Sequence, residues 1–339
     1  AELYYEDTMK GGHDINDPEL VRTLAENSSA AIDWLDSIGA PLSNIGLAGG
    51  ASAMRQHRPV NDEGKILSVG SYLVEHLTST CNDLGVEIIY GAKVDEVLME
   101  DGKAVGLHAT GEAGNSITVK ANAVVIATGG FGSNPEMIVK YRPDLKGYVS
   151  TNAPSITGDL IPVLEGIGAD FVDLEQIQIH PTVVQADGSL ISESLRGDGA
   201  ILLNKEGKRF CNEILTRDVV SGHIIEQPDS FAWLIADEGM AAESTVIEKY
   251  VNKGLMTKCD TVADLASFIG VDEAVVQESL DTWKAACDAE KDEEFGREGY
   301  DALLTDLSHP PYYVVKIAPG IHHCMGGVKI NPEAEVIGT

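Results

Sequence analysis

The chain has 339 residues, with 24 Lys and Arg against 54 Asp and Glu, a formal net charge of −30. Its length points to two domains with enough core to need no covalent staples, and 43% hydrophobic with 23% charged residues argues against a disordered chain. So negative a balance argues against a nucleic-acid partner and against docking on anionic lipid; a small anionic substrate needs only a local positive pocket.

In chain order, residues 17–38 predict an amphipathic helix, with Asp17 as N-cap, Pro18 at the first helical position and Leu20, Leu24, Ala31, Trp34 and Leu35 as the apolar stripe. Gly46–Pro59 reads as a glycine-rich loop with Arg55, His57 and Arg58 as a basic island. A second helix is expected over 66–84, with Leu67, Leu73, Val74 and Leu77 on one side and Gly85 ending it. Val86–Tyr90 predicts a short strand, and Lys93–Glu100 and Ala104–His108 a hairpin about Asp101-Gly102. Ala123–Thr128 (AVVIAT) predicts a strand buried on both faces and running into Gly129-Gly130-Phe131-Gly132.

From about Ala169 the texture changes to short strands: Phe171–His180, Thr182–Gln185, Leu190–Ser194 and Ala200–Asn204, with turns at Asp187-Gly188 and Glu206-Gly207. Helical patterns fill 241–290, the last with Val275, Val276, Leu280, Trp283 and Ala286 on its stripe. Residues 291–309 are polar and acidic and predict a surface excursion, after which Tyr312–Ile317 and Val328–Ile330 return to strand character. The five cysteines, Cys81, Cys211, Cys259, Cys287 and Cys324, are scattered without a C-x-x-C, so neither a disulfide framework nor a metal site is expected. No apolar run approaches the roughly 18 residues of a membrane span.

Four constellations could carry chemistry. A strand that ends in consecutive glycines, as at 123–132, lets a planar ligand or another backbone come close; a tight strand–helix turn is the alternative, and no G-x-G-x-x-G occurs in the chain. The run 176–218 holds His180, Glu193, Arg196 and Arg217, where a surface ion pair is the bland reading of Glu193-x-x-Arg196. PGIHHCMGG at 319–327 places two histidines before a glycine pair, and Thr157-Gly158-Asp159 is by itself a turn with a helix cap.

Together these segments resemble the flavoprotein fumarate reductases of the soluble, flavocytochrome c type, relatives of the succinate dehydrogenase flavoproteins. The resemblance spans nearly the whole chain: DTMKGG (7–12), GGASAMRQHRP (49–59), VVIATGGFG (124–132), TGD (157–159), IQIHPT (177–182), SESLRGDGAILLNKEGKRF (192–210), LTRD (215–218) and HHCMGGVKIN (322–331) occur in family order. It implies an α/β fold in which an FAD-binding, Rossmann-like layered domain is interrupted by an α+β capping domain. The expected scheme is 1–174 with 323–339 as a partial FAD-binding domain and 175–322 as the capping domain.

The implied activity is FAD-dependent reduction of an α,β-unsaturated carboxylate, most simply fumarate to succinate, by hydride transfer from the flavin and proton transfer from arginine. By the family motifs the carboxylate binders are His180, Ser192 and His322, the proton donor is Arg217, and Glu193 and Arg196 relay a proton back to it. The flavin contacts expected here are Gly49, Gly50, Ala127, Thr128, Gly129, Gly130, Thr157, Gly158 and Asp159. His180 with Glu193 favours a dicarboxylate; urocanate-reducing relatives carry Tyr and Asp at these places, and acrylate-type enoates stay open. Ser192 stands where the family has Thr, Cys324 replaces another Thr, and Leu160 follows TGD where Gly is common.

The resemblance further implies that the first flavin strand precedes Ala1 and that a further substrate arginine follows Thr339. The chain is therefore read as the middle of the enzyme, expected to hold FAD weakly or not at all and to be inactive alone. A cofactor-free, non-catalytic domain is the competing reading of the fragment. The partners implied are an enoate substrate and an electron donor, either a haem or flavin domain or a separate protein. The compartment leans to the periplasm or cell surface over the cytoplasm.

Overall fold

The computed structural model describes residues 1–47, 51–297 and 305–339. The chain divides into two compact units, residues 1–80 with 179–320 and residues 81–178 with 321–339. The expected scheme grouped 1–174; by packing, residues 1–80 go with 179–320.

The first unit opens with α1 (Glu2–Gly11) and α2 (Pro18–Ser37). Asp17 caps α2 as expected, its carboxylate accepting from the Glu19 and Leu20 amides, with Pro18 supplying a preset φ. The buried face of α2 differs from the expected stripe: Val21 and Ala25 are buried, while Leu24 and Trp34 are more than half exposed. Spacing alone defines a stripe, and smaller side chains one position round occupy the inner face here. Two short antiparallel strands follow, β1 (Asn44–Gly46) and β2 (Gln56–Arg58), then α3 (Val69–Asp83). Gly85, at φ +71°, follows α3 as predicted, but no residue of α3 is fully buried and Val74 is exposed.

The second unit carries the meander β3 (Ala92–Glu100), β4 (Lys103–Gly111) and β5 (Ser116–Lys120). Asp101 and Gly102 take positive φ at the predicted turn, the geometry a two-residue hairpin requires. Next come α4 (Pro135–Tyr141), α5 (Ile161–Gly166) and β6 (Phe171–Val172). A small core of Val97, Leu160, Leu164 and Ala169 sits between the meander and α5.

Three predicted strands are not strands: Leu190–Ser194 makes only an isolated bridge from Leu190 to Val183 before α6 (Ser194–Gly197) begins, and two earlier segments make none. Ala123–Thr128 and Val86–Tyr90 have irregular backbone; Val125 is 88% exposed and Val86, Ile88, Ile89 and Tyr90 are exposed, while Val124 and Ile126 are half-buried. A strand exists only through ladder partners, and among the described residues none pairs with either segment.

The chain returns through β7 (Ile177–Val183), the single turn α6 (Ser194–Gly197), β8 (Ile201–Leu203), α7 (Arg217–Glu226), β9 (Ala232–Asp237), α8 (Glu238–Glu243), α9 (Thr245–Asn252) and β10 (Thr257–Cys259). Helices α10 (Val262–Ile269) and α11 (Glu273–Asp288) precede the long β11 (Tyr312–Cys324) and β12 (Gly327–Val328), which pairs with β6. In the first unit β10, β11, β9 and β8 form an antiparallel sheet, with β7 added on β11. Leu234 and Ile235 of the sheet and Leu265, Val276, Leu280 and Trp283 of α10 and α11 belong to one buried core. Residues 291–309 are the expected surface excursion only in part: Lys291, Glu293, Glu294, Ser308 and His309 are exposed, whereas Leu307 is buried and Asp292 and Arg297 are buried against opposite charges, and residues 298–304 lie outside the described ones. Among the described residues no helix is long and apolar enough to cross a membrane.

Candidate active site

Glu193 is the hub of the first unit's polar cluster. Arg217 is the first residue of α7, so its guanidinium stands at the positive end of a ten-residue helix. Its Nε donates to Glu193 Oε2 at 2.5 Å. The other carboxylate oxygen, Oε1, faces Arg196 Nη2 at 4.0 Å, and His180 Nε2 lies 3.8 Å from Oε2. The sequence predicts Glu193 and Arg196 on a strand; they sit instead at the N-cap and the third residue of α6, three positions apart. Nor is the pair at the surface: Arg196 is 1% exposed.

The environment of each group follows from its neighbours. Burial lowers the pKa of Arg196, and the Arg217 guanidinium pushes the same way against the pull of Glu193 and Glu213. His180 is fully buried, and the Thr182 amide donates to its Nδ1 at 3.2 Å. That hydrogen bond assigns the ring proton to Nε2, the nitrogen on the Glu193 side. Ser192 donates its amide to the Tyr250 hydroxyl at 2.9 Å, and its own hydroxyl lies 2.8 Å from that of Ser194.

A second tier lies behind Arg196. Glu213 accepts from Arg209 Nε and Nη2 at 3.0 and 2.9 Å, from Arg297 Nη1 at 3.2 Å and from the Leu202 amide. Asp292 accepts from Arg209 Nη2 at 2.9 Å. Sequence reasoning missed these residues, and only Arg209 and Glu213, four apart, offered a spacing that could have flagged a pair. The expected basic island is neutralised: Arg55 pairs with Asp7, and Arg58, nearly buried, meets both oxygens of Asp198 at 3.1 Å.

In the second unit, Thr128, Thr157, Gly158 and Asp159 line one groove of about 670 Å³ together with Lys93 and Thr110. Lys93 Nζ meets Asp159 at 2.9 Å and holds its carboxyl below the usual range, helped by Thr157. Gly158 has φ +71°, and a Cβ there would lie 2.7 Å from that of Phe131. At Gly130 a Cβ would lie 2.7 Å from that of Cys324, whose Sγ accepts from the Phe131 amide. The 128–131, 157–159 and HHCMGG segments thus converge. A groove of this size falls within the range of small-molecule sites. Ala127 and Gly129 are exposed beside it; Gly49 and Gly50 lie outside the described residues. His322 belongs to this unit, its Nδ1 2.7 Å from the Thr151 hydroxyl.

The FAD binding domain family model matches residues 1–339. The chain belongs to this family. FAD is the family's cofactor, which accords with the groove in the second unit. The chain is 41% identical over 338 residues to an NADH:fumarate oxidoreductase of Klebsiella pneumoniae, covering 100% of this chain and 36% of that protein. It is 39% identical over 339 residues to a fumarate reductase (cytochrome) of Shewanella frigidimarina, covering 100% of this chain and 58% of that one. Among solved structures, the open conformation of a flavocytochrome c3 fumarate reductase matches with a TM-score of 0.73 at 38% identity, over 99% of this chain and 59% of the other. The chain therefore spans between a third and three fifths of these relatives.

Proposed function

We propose that this chain supplies the proton-delivering site of an FAD-dependent reductase of α,β-unsaturated carboxylates, with fumarate as the first substrate. The observation that carries the reading is the shared carboxylate of Glu193, bonded to Arg217 Nε at 2.5 Å and faced by Arg196 Nη2 at 4.0 Å. FAD, when bound, supplies the hydride. The cofactor is held by Thr128, Gly129, Gly130, Thr157, Gly158 and Asp159, with Ala127, Gly49 and Gly50 beside them. In the same reading residues 1–174 with 323–339 contribute to the FAD-binding domain and 175–322 to a domain that closes over substrate. A haem- or flavin-bearing donor and a periplasmic or cell-surface location belong to it as well.

The residues act as follows. His180, Ser192 and His322 hold the substrate carboxylates and keep the alkene in one orientation. Arg217 gives a guanidinium proton to the alkene carbon that does not receive hydride. Glu193 takes a proton from Arg196 and passes it to the neutral Arg217 guanidine, and solvent reprotonates Arg196. Arginine is a weak acid in water, with a pKa above 12. The buried Arg196 guanidinium and the positive end of α7 stand beside it. The same fixed positive groups stabilise the carbanion that develops beside a carboxylate.

The test follows reoxidation of a reduced viologen dye by the full-length, FAD-loaded protein, with fumarate, urocanate and acrylate in parallel. Turnover with fumarate and not with the other two is expected. Turnover with another enoate alone would keep the proton relay and overturn the dicarboxylate assignment of His180 and Glu193. No turnover with any of them would favour the non-catalytic reading.

A further inference from the structure

We infer that Glu213 and Arg297 are positioning residues of the proton relay, fixing the buried Arg196 guanidinium with its Nη2 edge towards Glu193. The inference rests on the relay reading of Glu193, Arg196 and Arg217 given above. Among the described residues, Arg196 Nε and Nη2 have no hydrogen-bond partner. A buried guanidinium in that state costs free energy and turns to find acceptors unless something else holds it.

Arg196 is held at both ends. At its tip, Nη1 donates to the main-chain carbonyl of Glu213. At its backbone, the Arg196 carbonyl accepts from Arg297 Nη2 at 2.6 Å. Glu213 is itself immobilised, because its carboxylate takes two donors from Arg209, one from Arg297 and one from the Leu202 amide. Arg297 spans the same region, its Nη1 also donating to the Ala200 carbonyl at 3.1 Å, just past the turn that ends α6. One guanidinium fork therefore ties the α6 backbone to the residue that receives the tip of Arg196. With Nη1 committed, Nη2 is left facing Glu193 Oε1 at 4.0 Å, a gap that a small approach or one bridging water closes.

Charge is the second consequence. Among the described residues, Arg196, Arg209, Arg217 and Arg297 face Glu193, Glu213 and Asp292, four positive groups against three negative ones. The charged and titratable groups that act on Arg196 are Glu193, Arg217, Cys211 and Glu213, with Arg297 on its carbonyl. Removing the Glu213 charge raises the positive excess and disfavours the protonated relay. The alkaline limb of turnover then moves to lower pH, by about one unit for a neighbouring opposite charge. Arg297→Lys keeps the charge and loses the fork: kcat falls about tenfold or more, the limb stays, and KM holds because the substrate carboxylates are bound elsewhere.

The experiment measures kcat and KM for fumarate from about pH 6 to pH 10. It uses full-length, FAD-loaded wild type, Glu213→Gln and Arg297→Lys, each checked for native circular dichroism. A downward shift of the limb in Glu213→Gln and a kcat-only loss in Arg297→Lys support the inference. A Glu213→Gln profile scaled evenly at all pH values, or a KM that rises in Arg297→Lys as kcat falls, overturns it. Should Glu213→Gln fail to fold, the kcat-against-KM split in Arg297→Lys decides alone. A wild type inactive towards every enoate defeats the relay reading itself, an outcome distinct from an active wild type whose variants keep their profiles.

Discussion

Arg209→Met isolates the buried ion cluster from catalysis. Arg209 stacks 4.6 Å over the Trp283 ring, so methionine keeps much of the apolar contact and deletes the charge. Glu213 retains Arg297 and the Leu202 amide. Asp292, 2% exposed, retains among the described residues the weaker Glu294 and Phe295 amides at 3.2 and 3.4 Å. Removing one partner of a buried pair costs about 3–5 kcal/mol, equivalent to roughly 4–7 °C in midpoint for a chain of this size. The loss depends on pH with a definite sign. In the wild type burial alone would raise the Asp292 pKa, but the Arg209 hydrogen bond and charge bring it below the ordinary carboxylate value. Its contribution is therefore present above the unfolded value, about 3.9, and lost as pH falls through the folded one. In the variant Asp292 takes up a proton more readily, so the deficit is largest near neutrality and narrows towards about pH 4. Urea titrations of both proteins at several pH values read this out. A deficit below about 1 kcal/mol, or one independent of pH, would refute the claim that these charges hold one another.

Other consequences are open to direct measurement. Gly158→Ala forces a Cβ into Phe131 at a left-handed position, so a destabilisation of about 1–3 kcal/mol and a weaker FAD titration are expected; an unchanged midpoint would mean the turn can relax. Burial pushes the Cys287 thiol up to about 11 and Cys211 higher still, so iodoacetamide near pH 8 should leave both unlabelled in the native protein and label them once it is unfolded. Mass-detected labelling of native Cys211 would contradict its burial. Because no G-x-G-x-x-G occurs in these 339 residues, the chain expressed alone should purify with little flavin absorbance, and a stoichiometric flavin spectrum would show that the described groove suffices.

Local signals were legible where the chain decides its own conformation. Asp17-Pro18 starts α2, Asp101-Gly102 turns the hairpin and Gly85 follows α3, each by a preference that needs no distant partner. The α11 stripe of Val276, Leu280, Trp283 and Ala286 was also readable, because that helix has one buried face. AVVIAT failed as a strand because apolar runs encode burial in a ladder, and the ladder is supplied from elsewhere. The site divides in the same way. Glu193, Arg196, Arg217 and His180 were named in advance through the family motifs and meet on one carboxylate. Arg297 and Asp292 lie in a stretch whose polarity reads as surface, since a charged residue there looks solvated until its buried counter-charge is known. Only the fold brings Glu213 to them.

The central claim is that Arg217 delivers a proton. The most direct test compares full-length, FAD-loaded wild type with Arg217→Ala, measuring dissociation of a substrate-like dicarboxylate and viologen-linked turnover on fumarate. The account predicts that Arg217→Ala still binds the dicarboxylate through His180, Ser192 and His322 while turnover falls by about 100-fold or more, the scale of a lost general acid. Turnover within a few-fold of wild type, at unchanged binding, would contradict it and place the proton donor on another residue.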